Sequence, residues 1–360
     1  MTKPLIFSSS GRRRLLSKAA ESVLAAALGL LSGALLMSLY GYDFVAAYQA
    51  LFVGAFGDLS GILETLAFAT PLILTAIAFA VGIRSGLFNI GAEGQMYIGA
   101  IAAVYVGGAF SLPPGIHLIA ATLFAMIIAG LWSLPVAVLK ITRGVHEVVS
   151  TIMLNWVAFW LVTYLITYQL ADPARAERAV PVQETARYTV IGASLTTVFP
   201  VVIALAILVY FIIWRTTLGY ELRVVGYNPE AARYAGISIN KSIIMSFLIG
   251  GMMAGMAGAS QVLGRPPHWT VFATMGNLMN LGFEGIGVSL IGRNHPIGII
   301  FAGIFYGGLL HGGRFMEFHV GVASELVRAI NGIIILALAL PSLIQIFSKP
   351  LRRKREAVVG

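Results

Sequence analysis

The amino-acid sequence predicts an all-α, polytopic membrane protein of about ten transmembrane helices with an inverted internal repeat. Three observations carry that expectation. Charged residues make up 11% of the 360-residue chain and hydrophobic ones 58%, whereas a soluble domain carries about 25% charge. The polar surface needed to cover a water-facing globule is therefore missing. The apolar residues gather into stretches of about 20, the length a helix needs to cross a hydrocarbon core about 30 Å thick. Finally, a short motif recurs in two of those stretches, five spans apart.

The first stretch, 19–40, follows Arg12, Arg13, Arg14 and Lys18. A signal-peptide core runs to about 7–15 residues, so this longer stretch reads as an uncleaved anchor. Spans 62–82, 89–107, 116–139 and 148–168 follow, and then 197–214, 243–263, 271–292, 296–311 and 326–347. The first, sixth, seventh and tenth are clear. The third, eighth and ninth are interrupted by Gly, Asn or Glu. An even number of spans leaves both termini on one side, and the excess of Lys and Arg in short loops names that side as the cytoplasm. All of the 24 basic residues fall there except Arg175, Arg178, Arg187, Arg265, Arg314 and Arg328.

This placement accounts for the net charge of +9 without nucleic acid. It leaves 1–18 as a basic cytoplasmic segment, 19–347 as the transmembrane domain and 348–360 as a basic tail suited to an anionic leaflet. Two loops are long, 171–195 outside and 215–241 inside, and long ordered loops tend to carry function. The outer one reads either as a solvated connector or as a docking seat.

The third span opens Asn89-Ile90-Gly91-Ala92-Glu93-Gly94, and the eighth contains Asn280-Leu281-Gly282-Phe283-Glu284-Gly285. An offset of five spans gives the two copies opposite directions, as an inverted repeat requires. Glutamate inside a membrane is costly and faces protein or a wet cavity, and flanking glycines permit close approach or a broken helix. Asn89, Glu93, Gln95, Asn280 and Glu284 are thus candidates for the translocation path or for bracing its helix breaks. The plainer alternative is that each Glu caps a helix end. Gly251, Gly255 and Gly258, at close-packing spacing in the seventh span, read as helix contact.

In the inner loop, Asn228 is a good N-cap, Pro229 suits the first helical position, Glu230 favours the positive end and Gly236 can end the turn. These signals predict a helix of about two turns with no core of its own, free to dock on another protein. Catalytic patterns are missing from the sequence. No two histidines have the i, i+4 spacing of a metal site, and neither H-E-x-x-H nor a phosphate-binding G-x-x-x-x-G-K-[ST] loop occurs. His146-Glu147 reads as a cap. The absence of cysteine excludes disulfides and thiolate sites. No enzyme activity, cofactor or metal is expected in this chain.

Glu230-Ala231-Ala232 followed by Gly236 resembles the coupling motif of ABC importer permeases. Gly86-Leu87-Phe88-Asn89-Ile90-Gly91-Ala92-Glu93-Gly94-Gln95 is similar to a stretch in the permeases for simple sugars, nucleosides and branched-chain amino acids, the nucleoside branch above all. The same holds for Gly144-Val145-His146-Glu147-Val148-Val149-Ser150-Thr151-Ile152-Met153-Leu154-Asn155. The resemblance covers the landmarks from about residue 60 to 345, and Glu284 is its most visible departure.

What the resemblance implies is the permease subunit of a bacterial importer in the inner membrane. Its partners would be a second permease, favoured to be a paralogue, two cytoplasmic ATPases that bind ATP and Mg²⁺, and an extracytoplasmic binding protein. Coupling to the ATPase would fall to Gly226, Asn228, Glu230, Ala231, Ala232, Arg233 and Gly236. Nucleosides are the expected substrates. The alternatives are simple sugars in the same role, or an ion-coupled secondary transporter with Glu93 and Glu284 as proton sites, which would need no docking helix.

Overall fold

The computed structural model describes residues 27–338. The basic segment 1–18, the tail 348–360 and the terminal parts of the first and tenth expected spans, 19–26 and 339–347, lie outside the described residues. In chain order the helices are α1 (Ala27–Leu39), α2 (Phe44–Phe56), α3 (Leu59–Arg84), α4 (Ala92–Ala109), α5 (Ile116–Arg143) and α6 (Glu147–Tyr168). Next come two small hairpins, β1–β2 (Ala171–Asp172 with Arg175–Ala179) and β3–β4 (Val190–Gly192 with Leu195–Thr196). The chain continues with α7 (Val198–Arg215), α8 (Thr217–Tyr227), α9 (Pro229–Tyr234), α10 (Ile239–Leu263), α11 (Leu281–Ile291) and α12 (Pro296–Val320). A last helix, α13, is described over 324–338.

Among the described residues, α3, α5, α6, α7, α10 and α12 are long and apolar enough to cross a membrane. Three expectations need correcting. The eighth span, read as 271–292, is helical only from Leu281 to Ile291, about 16 Å at 1.5 Å per residue. Left-handed backbone at Trp269, Met275 and Asn280 breaks any helical ladder ahead of it. The ninth runs on to Val320, because Arg314 and Glu317 end the apolar run without ending the helix. A 13-residue helix, α2, stands between the first two expected spans, where the sequence reading assigned no element. At about 20 Å it is too short to span.

Two compact units make up the described chain, residues 55–311 and residues 27–54 with 312–338. In the smaller, Tyr48 donates a hydrogen bond to the Leu30 carbonyl at 2.6 Å. In the larger, α3 and α10 are buried on nearly every side, while α6 and α7 keep broad apolar faces exposed. Small residues let α10 sit at the centre. A side chain at Gly251 would meet the Ala129 carbonyl of α5 at 2.8 Å, and one at Gly258 would run into Met96 and Ala100 of α4. The packing expected of these glycines is what the fold uses.

The irregular segment 264–280 is tolerated because the 171–196 loop satisfies part of its backbone. Backbone N–H groups of Ala179, Val182 and Tyr188 donate to the carbonyls of Val271, Trp269 and Leu263, and that of Ala273 donates to Glu177. Thr270 Oγ1 adds a bond to the Ala179 carbonyl at 2.6 Å, and Thr163 of α6 reaches the Ala273 carbonyl. Unpaired backbone groups at membrane depth cost several kcal/mol each, so segment 171–196 is a structural partner of 264–280 as well as a connector.

The first hairpin is closed by Asp172, whose Oδ1 accepts the Ala174 N–H at 2.9 Å and whose Oδ2 pairs with Arg178 at 2.7 Å. The Ala174 N–H and the Arg178 guanidinium hold its carboxyl below the usual aspartate range. A carboxyl depressed on folding stabilises the hairpin above the unfolded pKa of about 3.9, and that contribution is lost as pH falls through the folded value. Amide exchange in 171–180 is expected to quicken on acidification below pH ~4. Asp172→Asn should show the faster exchange already at neutral pH.

Candidate functional site

The α3–α4 connection, 85–91, is non-helical backbone, and three side chains bond to backbone groups in and beside it. Asn89 turns its own Oδ1 back onto the Gly91 N–H at 2.8 Å. Asn155 of α6 bridges the break, its Nδ2 donating to the Ile90 carbonyl at 3.0 Å and its Oδ1 accepting the Gly94 N–H at 2.9 Å. Glu147, at the start of α6, accepts the Phe88 N–H at 3.2 Å and pairs with Lys140 at 2.6 Å. His146 accepts the Val148 N–H and is the N-cap of α6. Gly86–Gln95 and Gly144–Asn155 are thus the two faces of one brace.

Glu93 lies in the first turn of α4 and is 2% exposed. Its Oε1 accepts the Tyr97 hydroxyl at 2.5 Å and the Asn280 N–H at 2.5 Å, and its Oε2 accepts the Gly282 N–H at 2.6 Å. The carboxylate therefore caps α11, a helix from the other end of the chain. An ionisable side chain at mid-membrane costs about 2.5–3.5 kcal/mol on insertion scales. Hydrogen bonds to a charged group return about 1.5–3 kcal/mol each, so three of them offset the cost. No side chain fits at Gly282, where a Cβ would sit 2.6 Å from Glu93 Oε2. Thr75 of α3 also bonds the Leu281 carbonyl at 3.0 Å.

The two copies of the recurring motif meet at this carboxylate. Asn280 joins Glu93 through its backbone, with its side chain exposed. Glu284, half-buried one turn further along α11, is within electrostatic reach of Glu93 and bonds Tyr306 of α12. Its Oε2 has no hydrogen-bond partner among the described residues, and neither has Gln95 Oε1, which is also buried. Of the alternatives for Glu93, capping is what the geometry displays. Tyr97, Asn155, Thr75 and Tyr306 were not singled out from sequence. Tyr97 was within reach, since i and i+4 share a helix face, whereas the others pair across the fold.

The 215–241 loop is separate from this centre. Asn228 Oδ1 accepts the N–H groups of Glu230 and Ala231 at 3.1 and 3.2 Å. Pro229 takes the first position of α9, and Gly236 follows its C-cap at φ +76°. The Gly236 N–H reaches the Arg233 carbonyl and the Ile237 N–H the Ala232 carbonyl, the paired bonds of a Schellman ending. Ala232 is the one buried residue of α9, and Tyr234 is 93% exposed. Glu230 and Arg233 pair at 3.3 Å across exposed surface, a contact worth under about 1 kcal/mol. Gly226, in the last turn of α8, lies backbone to backbone on Ser85 and Gly86.

The model of the family described as "Branched-chain amino acid transport system / permease component" matches residues 61–339. The guanosine ABC transporter permease protein NupP of Bacillus subtilis is 39% identical over 92% of this chain and 96% of its own length. The guanosine ABC transporter permease protein NupQ of the same organism is 30% identical over 68% of this chain and 78% of its own. The glucose ABC transporter permease protein TsgB13 of Haloferax volcanii is 32% identical over 88% and 86%.

Replacing Glu93 by Gln turns one acceptor oxygen into an amide that faces a backbone N–H. Each N–H left unsatisfied costs about 1–3 kcal/mol, so the purified variant should melt well below the parent in detergent. Tyr97→Phe removes one bond of the three and should fall less. Glu284→Gln leaves the α11 cap intact and should melt close to the parent. Equal melting of Glu93→Gln and the parent would remove the cap from the account of stability.

Proposed function

Because the chain belongs to the family of branched-chain amino acid transport system permease components, a family of multi-pass transport subunits, we propose that it is the permease subunit of an ATP-driven nucleoside importer. The observation that carries the coupling half of this reading is α9. It is a capped six-residue helix, exposed at every residue but Ala232, and such a helix lacks a partner for its outer face. A cytoplasmic ATPase is the partner that an importer supplies, with ATP and Mg²⁺ bound there. The nucleoside half rests on NupP and NupQ, both named for guanosine.

Two guanosine permease proteins from one organism that both resemble this chain favour a paralogue as the second permease. Substrate passes between the two, beside the helix breaks at Asn89–Gln95 and Asn280–Glu284, which form the halves of an inverted repeat. Both termini face the cytoplasm, and the 171–196 surface meets the binding protein outside. TsgB13 favours a second reading, with a simple sugar carried by the same machinery.

The test of substrate is uptake of labelled guanosine by cells with and without the gene, with excess unlabelled ribose and glucose as competitors. Gene-dependent uptake that neither sugar reduces is the expected result. Uptake abolished by glucose would move the assignment to sugars. For coupling, Gly236→Ala places a Cβ in left-handed backbone, at about 1–2 kcal/mol. The variant should lose most uptake while still recruiting the binding protein to the membrane. Normal uptake by this variant and by Glu230→Ala would detach α9 from the mechanism.

A further inference from the structure

Arg84 is the last residue of α3, and its side chain reaches both the turn between α11 and α12 and the end of α7. Its Nε donates to the Asn294 carbonyl at 2.9 Å and its Nη2 to the Arg293 carbonyl at 3.1 Å. These two residues form the α11–α12 turn, and both hold left-handed backbone, at φ 57° and 52°. Side chains other than glycine rarely rest there, so the turn depends on outside contacts. Ser289 supplies one, its Oγ bonding Asn294 Oδ1 at 2.9 Å. The Arg84 guanidinium also lies over the Trp214 ring of α7, 5.2 Å from its centroid, and Trp214 in turn contacts His295 at 4.7 Å.

The other face of the same corner carries the inner loop. A Cβ on Gly226 would strike the Arg84 carbonyl and stand 2.8 Å from the Gly86 nitrogen, and one on Gly86, at φ +74°, would stand 3.0 Å from the Gly226 Cα. Backbone packed on backbone has no soft side chain to absorb a displacement. Gly226 is followed directly by Tyr227, Asn228 and α9. One corner of α3 is therefore in rigid contact with the root of α9 on one side and, through Arg84, with the end of α11 on the other.

We propose that Arg84 is a positioning residue that ties the α8–α9 loop to the α11–α12 turn, so that a displacement of α9 is carried to α11 and the helix break it shares with Glu93. The proposal rests on the reading of α9 as the ATPase-docking helix. Arg84 contributes two hydrogen bonds in a fixed fork, which lysine cannot reproduce.

The test uses the whole transporter, with its ATPases and binding protein, in liposomes. Labelled guanosine uptake and ATP hydrolysis are measured in the same vesicles, and the quantity read is solute moved per ATP. Arg84→Ala is expected to assemble, to hydrolyse ATP, and to move at least tenfold less solute per ATP, with Arg84→Lys between it and the parent. A purely structural role would lower assembly and hydrolysis together and leave the ratio alone, which overturns the proposal.

Arg293→Gly with Asn294→Gly supplies the second arm, because glycine holds the turn without help. If this pair restores the ratio in the Arg84→Ala background, Arg84 only stabilises the turn and the proposal is overturned. A ratio that stays low supports transmission. Failure of every Arg84 variant to assemble, in either background, also makes it structural and overturns the idea. Gly236→Ala in the same vesicles separates the two readings. A low ratio there beside a normal one in Arg84→Ala sinks only the link, whereas normal ratios in both sink the docking reading as well.

Discussion

The carboxylate of Glu93 is the contact on which the centre of this fold depends. It sits in the first turn of one helix and satisfies the first N–H groups of another. Helix N-termini carry about half a positive charge and leave four N–H groups unpaired. In water such ends are solvated at little cost. In a protein surrounded by hydrocarbon, a helix that begins inside the bundle needs an anion or acceptor supplied by the chain. Glu93 lies in the first turn of α4, where a negative charge is favourable, while its oxygens bond the first N–H groups of α11, and Gly282 leaves room for it to do so.

The rest of the larger unit follows from having broken helices. Each break frees backbone groups, and each set is met by a dedicated partner. The 85–91 break uses Asn155, Glu147 and Asn89, and the 264–280 run uses the 171–196 loop and Thr163. The side chains that do this at the first break, Asn89, Glu147 and Asn155, are polar and buried, and the partner of the second run is a polar loop. A search for apolar spans therefore either passes over them or treats them as imperfections in a span.

The division between what was legible and what was hidden follows the range of the interactions. α9 could be read residue by residue, because Asn228, Pro229 and Gly236 act within one turn of chain and obey local capping rules. The long apolar helices were legible for a similar reason, since bilayer thickness alone sets their length. The shortening of the eighth span was hidden, because what permits it is a loop about a hundred residues earlier. α2 escaped because a 13-residue helix falls below the spanning length. For Glu93, cost and motif marked the position, but the cap itself could not be seen, since nothing near residue 93 announces residues 280 and 282.

That distance has a consequence for how the molecule is made. Glu93 and Asn280 are separated by 187 positions, and a ribosome adds about 5–20 residues per second. The carboxylate thus waits on the order of 10–40 s in the nascent chain before its second set of donors exists. During that interval it has Tyr97 and whatever water or insertion machinery surrounds it. The first half of the chain cannot reach its final packing in the bilayer until α11 arrives, and biogenesis is closed late, by the helix that Glu93 holds.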